Sequence, residues 1–268
     1  MRRNKLFVES SVACKVGTRS LPLSDWTAIV QHLAPLFDFM VSPLSFLEVL
    51  NSLARGNEQY IIPNLKRLEA LSPIYPLEPA FLEMPGQFIL REVLGCGPVL
   101  VNTYQPWQMA EAMVSVLRHS SVSIELRDWL AEIRTNHQSG TENYVSTHDE
   151  MRQVGQVVPD RELWLRAKTR HLGILRLSDE EIQKLGVALD AAYQYAAWIR
   201  RELKNPHYQP SKRASAWVDY QQLFYLCDPT IHMLYVDNDF TERTGGSSQQ
   251  SRLLKLSDVM AEAVGCTT

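Results

Sequence analysis

The stretch WVDYQQLFYLCDPTIHMLYVDNDF, residues Trp217 to Phe240, carries two hydrophobic periods end to end. From Trp217 to Leu226 the apolar residues Trp217, Tyr220, Leu223, Phe224 and Leu226 recur at roughly helical spacing. Asp228-Pro229 stops that pattern, because proline cannot continue a helix and disfavours helix in the residue before it. Ile231 to Val236 is then almost continuously apolar, as in a strand buried on both faces of a parallel sheet. It ends at Asp237-Asn238-Asp239. A helix that feeds a parallel strand runs antiparallel to it, so the helix start lies at the sheet edge where the strand ends. That expectation brings Asp219, in a helix that Ser215 could cap, close to Asp237 and Asp239. Open α/β sheets bind ligands at this edge. A solvated turn rich in Asp and Asn fits the segment equally well when it is taken alone.

Two earlier segments repeat the pattern. Lys5 to Val8 reads as a short strand followed by Glu9-Ser10-Ser11, and a helix over Val12–Val16 is expected next. After a helix over Leu23–Leu36, Phe37 to Val41 reads as a second strand. Ser42-Pro43 follows it, an N-cap with proline at the first helical position. The helix SPLSFLEVLNSLARG shows Phe46, Leu47, Leu50 and Leu53 on its apolar side, with Gly56 as its C-cap. Glu48 lies off that side. An isolated Glu there reads first as a solvated surface residue, but a helix directly after a strand puts it at the edge already defined.

The middle of the chain reads differently. A helix over Gln59–Leu71 leads to the proline-rich run Pro73–Pro85, and from Gln105 onward helical stripes dominate. Asn136–Ser146, polar and containing Gly140, reads as a loop. Ser178-Asp-Glu-Glu181 is a capping box that starts the longest helix, expected over Asp179–Lys204. Leu253–Leu256 reads as a last short strand, and Ser257 as the cap of a final helix. Arg200, Arg201, Lys204, Lys212 and Arg213 form a basic cluster ahead of Asp219. This is either a solvated face or a contact for a phosphate backbone.

The bulk properties set limits. The chain has 268 residues, 45% hydrophobic and 21% charged, which suits a globular protein rather than a disordered one. A net charge of −3 provides no global basic field, so any nucleic acid must bind through a local patch. Cys14, Cys96, Cys227 and Cys266 show no CxxC spacing and the histidines no HExxH, which argues against a zinc site. No GxGxxG or GxxxxGK[ST] loop is present. The basic start MRRNKLFVESS has too short an apolar run for a signal peptide, and no run is long enough to span a bilayer. The expectation is a cytoplasmic protein without membrane contact.

Glu9, Glu48, Asp219, Asp237 and Asp239 are thus expected on one sheet edge. Such a ring repels itself unless cations neutralise it, and hard oxygen ligands favour Mg²⁺ or Mn²⁺. In that order and context the motifs resemble the PIN-domain family. FVESSV matches its first acidic motif, with Glu9 where the family usually has Asp. SPLSFLEVL matches the second at Glu48, and WVDYQQLFYL the third at Asp219. VDNDF matches the fourth loosely, so Asp237 and Asp239 compete. The resemblance covers about residues 5–70 and 212–260. It implies a three-layer α/β/α core with a central parallel sheet, from residues 1–75 and 205–268, and a mostly helical insertion over 76–204 packed on it. It further implies Mg²⁺/Mn²⁺-dependent endoribonuclease activity. Glu9, Asp219, Asp237 and Asp239 would be metal ligands and Glu48 would complete the catalytic set. RNA is the expected partner, with an antitoxin-like protein or a second copy of the chain as further partners. Two alternatives stay open: a decayed PIN-like binding or scaffold protein, and a helical interaction protein with incidental acids.

Overall fold

A computed structural model describes residues 3–53, 61–96, 105–121, 123–154, 160–171, 176–213, 216–236 and 238–265. Its centre is a four-stranded, all-parallel sheet of β1 (Asn4–Val8), β2 (Phe37–Met40), β3 (Ile231–Tyr235) and β4 (Leu253–Lys255), in the spatial order β2-β1-β3-β4. β1 pairs with β2 through Phe7↔Met40 and with β3 through Val8↔Leu234. The ladder runs one step further, since the Glu9 N–H donates to the Leu234 carbonyl at 3.0 Å. The chain turns from β1 to β2 on one side, then returns past β1 to place β3 on the other. The carboxyl ends of β1 and β3 therefore flank a topological switch point.

The strand residues explain the layers. Leu6 and Val8 face one core, Phe7 the other; Leu234 faces the first, while Ile231, Met233 and Tyr235 face the second. A strand apolar on both sides must be covered on both sides. Against the first face lie α1 (Ser10–Lys15), α2 (Leu23–Leu33), α3 (Pro43–Leu53), α4 (Ile61–Leu71), α6 (Pro106–His119) and α13 (Leu256–Gly265). Against the second lie α5 (Pro85–Glu92), α8 (Arg161–His171), α9 (Asp179–Ala188), α10 (Asp190–Glu202), α11 (Ala216–Gln222) and α12 (Asn238–Arg243). α7 (Ile124–Val154) reaches both cores, through Leu126 and Leu130 at one end and Tyr144 further along. The three-layer α/β/α arrangement is thus built partly from residues 76–204. Phe81 in that stretch also bridges Val41 in parallel at the sheet edge beyond β2.

Three expectations give way. Ser257, expected to cap the final helix, is the second residue of α13, which starts at Leu256, and its hydroxyl donates to the Asp258 side chain. Asn136–Ser146 is not a loop but the middle of α7. Gly140 disfavours helix by about 1 kcal/mol. Side-chain pairs one turn apart support the segment nonetheless: Gln138 donates to Glu142 at 2.9 Å and Ser146 to Glu150 at 3.3 Å. Tyr144 anchors the helix in the core. The helix expected over Asp179–Lys204 is broken at Leu189, between α9 and α10. Gln249, far along the chain, satisfies the interrupted backbone there. Its amide donates to the Ala188 and Leu226 carbonyls at 2.5 and 3.1 Å, and its oxygen accepts from the Ala191 N–H at 2.8 Å. No local residue signals that break. The Ser178–Glu181 capping box is present as expected. Gly56 and Ser215 lie outside the described residues.

Candidate acidic site at the sheet edge

β1 ends at Val8, and the next residue, extended at φ −71° and ψ 149°, is the N-cap of α1. That residue is Glu9, only 5% exposed. A buried carboxylate needs donors. Ser10 donates to one of its oxygens at 2.8 Å, and Ser11 donates to the other. The Ser10 hydroxyl also lies 2.5 Å from a Glu48 oxygen. The carboxylates of Glu9 and Glu48 therefore meet across one hydroxyl group. The FVESSV and SPLSFLEVL motifs come together at a single serine, Ser10, 38 positions before Glu48.

Glu48 is partly buried on α3 and is not a solvated surface residue. Burial pushes its carboxyl up to about 8; the Ser10 hydroxyl opposes this, and the charges of Glu9 and Asp219 add to it. Asp219 thus belongs to the same electrostatic neighbourhood. α3 and α11 meet again at the next pair of turns, where Ser45 donates to the Gln222 side-chain oxygen at 3.4 Å.

Asp219 has its own support. The Tyr195 hydroxyl donates to Asp219 Oδ2 at 3.3 Å, and Arg243 donates to the Tyr195 oxygen. The buried Arg243 guanidinium lies over the rings of Tyr195 and Trp198, at 5.1 and 4.5 Å from their centroids. Burial first, and then Asp219, hold the Tyr195 phenol well above its ordinary value, so it stays a donor. Sequence reading missed Tyr195 and Arg243. They come from α10 and α12, and each looks like an ordinary member of a helix.

Asp237 and the side chain of Asp239 lie outside the described residues. Among the described residues no three His, Cys, Asp or Glu side chains stand close enough together to hold a metal ion. The donor chemistry fits a hard divalent cation nonetheless: the groups are all carboxylate oxygens, Glu9 buried and Glu48 and Asp219 partly so. Two buried atoms on the same helices also lack hydrogen-bond partners among the described residues. They are Asn51 Oδ1, one turn past Glu48, and Gln222 Nε2, one turn past Asp219. Of the two, only Asn51 Oδ1 is an oxygen that could face a cation; Gln222 Nε2 is a donor and suits a water.

No family model, curated protein or solved structure matches the chain.

Neighbouring groups narrow the chemistry. Cys14 on α1 is exposed, yet the protein on its inner side raises its thiol pKa; Glu9 and Glu48 add to this and Arg67 opposes it. A raised thiol is a poor nucleophile at neutral pH. The basic cluster is divided: Arg200 is partly buried, whereas Arg201, Lys204 and Lys212 are exposed and the side chain of Arg213 lies outside the described residues. Among the described residues no helix is long and apolar enough to cross a membrane.

Proposed function

We propose that the chain is a metal-dependent endoribonuclease on a PIN-like core. The observation that carries this reading is the meeting of Glu9 and Glu48 at the Ser10 hydroxyl, with Asp219 in electrostatic reach, at the carboxyl end of β1. Carboxylates gathered at a sheet switch point are costly unless a cation offsets their repulsion. Glu9, Asp219 and the acids after β3, Asp237 or Asp239, would hold Mg²⁺ or Mn²⁺. A bound divalent ion supplies Lewis-acid charge for phosphodiester hydrolysis. Glu48, whose carboxyl holds its proton up to about 8 without metal, is suited to bind the ion or to orient and deprotonate water. Tyr195 and Arg243 position Asp219. Arg201, Lys204 and Lys212 are available to an RNA backbone.

One observation favours a non-catalytic binding or scaffold protein instead: both Glu9 oxygens already accept hydroxyl donors from Ser10 and Ser11. The test is thermal melting with added Mn²⁺, together with cleavage of a broad panel of labelled RNAs. At a free ion concentration 100-fold above its dissociation constant, stabilisation of about 2.7 kcal/mol is expected. Asp219→Asn should remove most of that stabilisation and any cleavage while keeping the fold. A wild type with neither a melting shift nor cleavage would leave the binding-protein reading in its place.

A further inference from the structure

A cleft of about 270 Å³ lies between α7, α8, α10 and α11. Its inner wall is aromatic and apolar, with Tyr144, Trp164 and Ile199 all buried. Its polar groups are basic. Lys168 and Arg200 line it together with His148, and no Asp or Glu is among its described lining residues. The Lys168 ammonium donates to the Tyr220 hydroxyl at 2.7 Å and lies 4.9 Å from that ring's centroid, which holds it at the cleft. His148 stacks against Tyr144, with ring centroids 4.0 Å apart, and its Nδ1 lies 2.6 Å from the Tyr144 carbonyl oxygen.

The cations are crowded. Burial pushes the Arg200 guanidinium below its ordinary value. Burial lowers His148 too, and the charges of Arg200 and Lys168 lower it further, against the Tyr144 carbonyl and the Asp149 carboxylate, which raise it. Among the described residues no carboxylate forms an ion pair with Lys168 or Arg200. Two partly buried cations beside aromatic rings, with no carboxylate ion-paired to either among the described residues, suit an anion that also carries a flat ring. The volume sits near the lower end of ligand clefts, which run from about 300 Å³ upward. That limits the occupant to something near one nucleotide and excludes a duplex.

We propose that this cleft binds a nucleoside monophosphate unit, with the phosphate held by Lys168 and Arg200 and the base set against the aromatic wall. The unit comes either from a free nucleotide or from the 5′-phosphorylated end of a single RNA strand. The cleft adjoins the acidic edge: Tyr220 follows Asp219 on α11, and Ala196 follows Tyr195 on α10. It uses none of the acidic groups, so it stands or falls independently of the nuclease reading.

Titration calorimetry tests it on the full chain. The probes are adenosine and uridine monophosphates, inorganic phosphate, adenosine, and a short oligoribonucleotide with or without a 5′-phosphate. A monophosphate should bind more tightly than phosphate or nucleoside alone. Arg200→Gln and Lys168→Gln should each weaken it by about tenfold or more, as loss of a charge-assisted hydrogen bond implies. Asn143→Trp, at an exposed position of α7, should block the cleft without touching either cation. Preference for the 5′-phosphorylated strand over its hydroxyl counterpart identifies a strand end as the source; binding of the monophosphates alone identifies a free nucleotide. The proposal is overturned if none of these probes binds saturably. It is overturned equally if affinity is unchanged in the three variants at wild-type melting temperature. A melting shift with Mn²⁺ retained in Arg200→Gln separates this outcome from failure of the acidic site.

Discussion

Replacing Glu48 by Gln should make the metal-free protein more stable at neutral pH and flatten its pH dependence. The folded state holds the Glu48 proton up to about 8, against an ordinary value of 4.5. Between those values the folded chain binds more protons than the unfolded chain, so stability falls as pH rises through the window. Below it both states are protonated and the residue contributes nothing. Above it both are ionised and the penalty is complete. The slope attributable to Glu48 is at most about 1.4 kcal/mol per pH unit, and the whole penalty at most about 5 kcal/mol. Solvent reaching this partly exposed carboxylate reduces both figures. Gln keeps an amide that can hydrogen-bond the Ser10 hydroxyl as donor or acceptor, so the difference between the two proteins isolates the charge. The assay is urea unfolding in a chelating buffer at intervals from about pH 5 to about pH 8, where titrating groups remote from Glu48 cancel in the difference and only those coupled to it, Glu9 and Asp219 foremost, do not. Parallel stability curves for wild type and Glu48→Gln would refute the burial and charge crowding assigned to this site.

Three further outcomes are expected. Phe7→Ala should cost about 3–5 kcal/mol by urea unfolding, because Phe7 is fully buried in the second core and packs edge-on against Tyr225, 5.4 Å between centroids. Tyr195→Phe should lower stability by about 1–2 kcal/mol, since it removes the hydroxyl between Arg243 and Asp219; in calorimetry it should weaken Mn²⁺ binding without abolishing it. Glu9→Asp draws the carboxylate back by one methylene from the Ser10 and Ser11 hydroxyls and from Glu48. Mn²⁺ stabilisation and RNA cleavage should both fall, whereas a gain in cleavage would mark the native site as decayed.

What was legible in the sequence was whatever a short window encodes. Ile231–Tyr235 is apolar at every position but His232, so its burial on both faces, and hence a parallel sheet, could be read directly. Ser42-Pro43 and Ser178–Glu181 announced helix starts by local hydrogen-bonding chemistry. Glu9 and Glu48 were legible because each follows a strand, and parallel strands end on one edge. What stayed hidden depends on distant partners. The break at Leu189 is satisfied by Gln249, and the support of Asp219 comes from Tyr195 and Arg243. α7 passes through a polar stretch containing glycine because Leu126 and Leu130 near its start and Tyr144 within that stretch anchor it in the two cores. Arg200, read as one of a surface cluster, is turned into a cleft by its place on α10, while Arg201 beside it stays exposed.

On the proposed reading, a divalent cation sits among the acids at the carboxyl end of β1. Anomalous diffraction from crystals soaked in Mn²⁺ tests it most directly. A peak is expected at the sheet edge with Glu9, Glu48 or Asp219 oxygens at direct coordination distance, about 2.0–2.6 Å across hard divalent cations. Well-ordered density for all three carboxylates with no anomalous peak beside any of them, at an ion concentration that saturates the melting shift, would contradict it.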